Sequence, residues 1–165
     1  VTTRMKDIDE VDGAVRGIVD RLALPDDERT LERLLRAVSD ARGIPVELRP
    51  ISNPDQHHTG YWIDHGDYGV IMYRPTDTDS IQLHTILHEC IHAVGEHRGC
   101  SARPETVDEL RAATADPVIS IRGRSVVNGS LGDAEQAEEV VAERGAFALA
   151  RWLRGSGTTS AAEIF

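Results

Sequence analysis

The sequence predicts a single small α+β domain, and three observations lead there. Apolar residues recur at helical spacing from Val11 to Ala41, they alternate like strands between Val46 and Tyr73, and a long proline-free apolar stretch follows at 80–94. At 165 residues the chain is long enough for one real core and too short for a duplicated plan. Only 4% of it is aromatic, so Leu, Ile, Val and Ala must fill that core, which suits a largely helical domain.

The elements follow in order. Val11, Val15, Ile18, Val19 and Leu22 predict a first helix that ends at Leu24-Pro25. Asp26 or Asp27 is suited to cap a second, through Leu31, Leu34, Leu35, Val38 and Ala41, stopped by Gly43. Neither carries chemistry. Val46–Arg49 alternates as a strand, and Thr59–Ile63 and Tyr68–Tyr73 flank a polar turn at 64–67, so a three-stranded sheet is expected. His57 and His58 read as loop residues and His65 as part of the turn. The next helix places Ile81, Leu87 and Ile91 on a buried stripe. Residues 98–132 read as an insertion, with a short helix from Pro104 to Ala115 and a hairpin or flap about Arg122-Gly123-Arg124. Asp133 to Leu153 predicts a final helix with an acidic first half. The domain spans 1–154, and the Gly/Ser/Thr-rich segment 155–165 is expected to be a flexible tail.

The chemistry concentrates in His88-Glu89-Cys90-Ile91-His92, an H-E-x-x-H motif inside the apolar helix. On a helix, positions i and i+4 share a face, so the two imidazoles can converge on one metal ion with Glu89 beside the open coordination position. That arrangement suits activation of water by zinc, with Glu89 as general base. Two histidines only half-build such a site. Gly95 stands where metzincins have their glycine, but Arg98 occupies the place of their third histidine and His97 falls one position early. A glutamate of the last helix is the other solution. Glu139 and Glu143 lie one turn apart on one face and both qualify, while Glu135 and Glu138 suit a solvated helix start. Tyr61, Tyr73, His84 or His97 can supply an oxyanion donor. Cys90 points off the histidine face and is expected to be a free thiol, as is Cys100.

These residues resemble the ImmA/IrrE family of zinc metallopeptidases. The family's later helix has the form E-x-x-A-[N/E]-x-[F/G]-A, and Glu139-Val140-Val141-Ala142-Glu143-Arg144-Gly145-Ala146 fits it position by position. Thr59–Ile63 and Tyr68–Tyr73 resemble its G-x-[YW] strand and the hydrophobic strand before the helix. The resemblance covers roughly 44–97 and 133–153, and the long gap between His92 and the last helix departs from it. It implies a zincin-like fold and a Zn2+ held by His88, His92 and Glu139. It also implies cleavage of a partner protein, a helix-turn-helix transcriptional repressor. The alternative is a non-catalytic metal-binding module that sequesters a regulatory partner.

A net charge of −10 argues against direct nucleic-acid binding, which needs clustered Lys and Arg. No apolar run is long enough to span a bilayer, the first residues lack a signal-peptide core, and two cysteines suit a reducing compartment, so a cytoplasmic protein is expected.

Overall fold

The structure is a computed structural model and describes residues 2–52, 58–97, 118, 120–125 and 133–155. The first apolar series forms helix α1 (Thr2–Leu22), which buries Ile18 and Leu22. Helix α2 (Leu31–Arg42) starts later than an Asp26 or Asp27 cap requires. Thr30 is its cap: extended at φ −121°, it accepts a hydrogen bond on its hydroxyl from the Arg33 N–H at 3.1 Å. Burial of Leu31 and Leu34 decides where that helix begins, and Asp26 accepts from Arg29 instead. Gly43 ends it at φ 70°, as the sequence predicts.

Four strands form one mixed sheet: β1 (Val46–Pro50), β2 (His58–Asp64), β3 (Gly69–Tyr73) and β4 (Ser120–Ser125), in the order β1-β3-β2-β4. β2 and β3 are the expected hairpin, and β1 joins β3 in parallel. The expected three-stranded sheet is therefore corrected, as is the hairpin or flap about Arg122-Gly123-Arg124. Residues 120–125 run as one strand antiparallel to β2, with Gly123 opposite Tyr61. Pairing along the outer edge of β2 satisfies both backbones, and Ile121 packs with Ile51, Tyr61, Ile63, Val70 and Met72. His58 is likewise the buried first residue of β2 and not a loop residue. The helix expected at Pro104–Ala115 and the tail after Gly155 lie outside the described residues.

The sheet alternates as period two demands. Tyr61, Ile63, Val70 and Met72 serve one face, while Trp62 and Ile71 join the main core with the helices. Helix α3 (Asp79–Gly95) is the centre of that core, burying Leu83, Ile86, Leu87, Cys90, Ile91, Ala93 and Val94. Such all-round burial marks a central helix rather than a surface one. Ile81 does not belong to the buried stripe: it is 45% exposed in the first turn. Helix α4 (Asp133–Arg154) packs along α3 through Val141, Ala142, Ala146, Leu149 and Leu153. Gly145 makes the approach close, since a Cβ there would lie 2.7 Å from Ile91 Cδ1. A glycine inside a helix costs about 0.5–1 kcal/mol, which the tight packing offsets. Among the described residues, no helix is long and apolar enough to cross a membrane.

Candidate metal centre

The pairing of α3 with α4 sets two histidines against two carboxylates. One helical turn separates His88 from His92, and their Nε2 atoms face each other at 2.9 Å. The Glu139 carboxylate straddles them, with Oε2 at 3.3 Å from His88 Nε2 and Oε1 at 3.4 Å from His92 Nε2. One ligand atom from each of His88, His92 and Glu139 lies within 4.8 Å of the others, so the group can hold a metal ion. Its donor set fits. A tetrahedral ion with bonds of about 2.0–2.2 Å separates its ligands by about 3.3–3.6 Å. Both carboxylate distances match that edge, and only the two rings need to part by a few tenths of an ångström.

Glu143 does not share this position. Its Oε2 lies 3.4 Å from Nδ1 of His88, on the far side of the ring, and its Oε1 lies 3.0 Å from Nε2 of His84. The structure thus separates the two glutamates that sequence left as competitors: Glu139 faces both Nε2 atoms, and Glu143 backs one ring. His84 is joined to the site through Glu143 and also stands against Phe147, with ring centroids 5.0 Å apart. His97 is on the Nδ1 side of His92, at 2.9 Å. Tyr61 belongs to the opposite face of the sheet, which removes it as an oxyanion donor, while Tyr73 packs on the α3 side.

Glu89 is wholly buried between α3 and β2. Gly60 lets β2 approach α3 closely beside it: a Cβ there would collide with Thr85 Cγ2 and lie 2.7 Å from the Met72 carbonyl oxygen, while it would be in ordinary contact with Glu89 Cγ at 3.7 Å. A buried carboxylate is expensive unless positive charge compensates it. The group of His88, His92 and Glu139, which can hold a cation, lies beside it. Comparison with family models, curated proteins and solved structures found no match.

Cys90, in the same turn, is a free and fully buried thiol. Burial, reinforced by the charge of Glu89, pushes its pKa far above the ordinary range, so it stays a thiol and offers neither a thiolate ligand nor a nucleophile. Cys100 lies outside the described residues.

Gly60 is a position whose role the sequence signals weakly, as a glycine inside a strand marks a close approach. Gly60→Ala drives a methyl into Thr85 and into backbone, neither of which yields cheaply. We expect a loss of about 1–3 kcal/mol, read as a fall of roughly 2–12 °C in melting temperature. An unchanged melting temperature would mean that β2 and α3 can part without cost.

Proposed function

We propose that this chain is a zinc metallopeptidase of the ImmA/IrrE type that cleaves a partner protein, a helix-turn-helix repressor. The observation that carries the reading is the convergence of His88 Nε2, His92 Nε2 and the Glu139 carboxylate next to the buried Glu89. His88, His92 and Glu139 would hold the ion. Bound zinc supplies Lewis acidity and lowers the pKa of a coordinated water from about 15.7 toward about 7. Glu89 is the residue that takes the proton from the attacking water and returns it to the leaving amine. A purely structural site has no need of this second carboxylate. The repressor as substrate comes from the sequence resemblance.

The test is elemental analysis of the purified protein after mild dialysis, followed by incubation with a panel of helix-turn-helix repressors with and without EDTA. The expected result is about one zinc per chain and a discrete cleavage that EDTA abolishes and added zinc restores. Bound zinc with every repressor intact but captured favours the sequestering module. No uptake of added zinc, manganese, cobalt or iron ends both readings.

A further inference from the structure

Helix α3 does not simply stop after the motif. Its last helical residue is Gly95, and Glu96 then takes the left-handed conformation at φ 52°, a region that favours glycine. The backbone turns back on itself: the Glu96 N–H donates to the Ala93 carbonyl at 3.4 Å and the His97 N–H to the His92 carbonyl at 3.3 Å, a Schellman closure. Two arginines hold this turn, Arg42 reaching Glu96 at 3.3 Å and Arg21 donating to the Val94 carbonyl at 2.8 Å. The turn delivers the His97 ring to Nδ1 of His92 at 2.9 Å. Gly95 clears its path, since a Cβ there would lie 2.6 Å from His97 Nε2 and 2.9 Å from His97 Cδ2.

We propose that His97 is a positioning residue for the metal centre: its Nδ1 accepts the Nδ1–H of His92 and so keeps the Nε2 lone pair of His92 bare toward His88 and Glu139. A neutral imidazole has one proton, and the hydrogen bond at one nitrogen decides which lone pair is left for a metal. Between two Nδ1 atoms one ring must donate. If His92 donates, its Nε2 is ready to ligate; if His97 donates, the proton of His92 sits on Nε2 and blocks the position. The histidine that falls one place early for a metzincin ligand therefore works from behind the ligand. This role presupposes the metal reading of His88, His92 and Glu139, and the measurements below separate the two.

Zinc affinity is measured by competition with a chelating dye for the wild type, His97→Leu, His97→Asn and Gly95→Ala, and the metal-free proteins are examined by long-range 1H–15N spectra of the histidine rings. Asparagine keeps an acceptor oxygen near the place of Nδ1, leucine keeps bulk alone, and Gly95→Ala displaces an intact His97 while improving helix propensity. His97→Leu and Gly95→Ala are expected to bind zinc about 10–100-fold more weakly, and His97→Asn close to wild type. Metal-free wild type is expected to show His92 protonated on Nδ1, a preference that His97→Leu loses. The proposal is overturned by a His92 proton on Nε2, by undiminished affinity in His97→Leu, or by His97→Asn losing as much as His97→Leu. A wild type with the Nδ1–H tautomer that takes up no zinc overturns the metal reading instead, and leaves His97 holding His92 for another purpose.

Discussion

Glu89→Gln is expected to keep a full complement of zinc and to lose peptide cleavage by about a hundred- to ten-thousand-fold, the usual contribution of a positioned general base. The amide matches the carboxylate in shape, so the packing against Gly60 and Thr85 survives. It cannot take a proton from water. Glu89 also stands outside the group formed by His88, His92 and Glu139, so metal content should not follow activity down. Normal cleavage by the variant would mean that another group takes the proton, and parallel loss of zinc would mean that Glu89 helps to hold the ion.

What the sequence disclosed and what it hid divide along physical lines. The motif helix was legible because its spacing does two jobs at once: one face carries the histidines, and the remaining faces carry Leu83, Ile86, Leu87, Cys90, Ile91 and Val94 into the core. Helix α4 was legible through its apolar period. From spacing alone the choice between Glu139 and Glu143 was not, because one helical turn puts both on the same face and only the crossing of α4 over α3 decides which nitrogen each meets. β4 escaped for a different reason. Arg122-Gly123-Arg124 has the composition of a turn, and it became a strand because the edge of β2 supplied backbone partners that no local pattern can announce.

The end of α3 was hidden by a displaced signal. Helices commonly end with glycine in the left-handed position, and here glycine comes one residue early while Glu96 takes the strained place. The strain of about 1–2 kcal/mol is opposed by the Schellman hydrogen bonds and by Arg42. Arg42 is itself fixed by Asp64 at 2.8 Å and lies over the Trp62 ring at 5.9 Å. The last turn of the helix, which carries His92, is thus tied to α1, α2 and β2 together.

Glu139→Ala is expected to abolish stable zinc binding, whereas Glu143→Ala should weaken it by about 10–100-fold. Glu139 reaches both Nε2 atoms, so without it two imidazoles remain and the ion dissociates during dialysis. Glu143 meets His88 from behind, at Nδ1, so its loss frees a ring to turn without removing a ligand. Thermal unfolding turns this into numbers. Zinc at a hundredfold excess over the wild-type Kd stabilises the fold by about 2.7 kcal/mol, or roughly 5–11 °C for a chain of this size. At the same zinc concentration a 10–100-fold weaker Glu143→Ala should retain about 0.4–1.4 kcal/mol of that stabilisation. Glu139→Ala should retain almost none, so its melting temperatures with zinc and with EDTA should coincide. The opposite order, with Glu143→Ala insensitive to zinc and Glu139→Ala responsive, would move the carboxylate ligand one turn along α4. His84, now 3.0 Å from Glu143, would then become a neighbour of the ion.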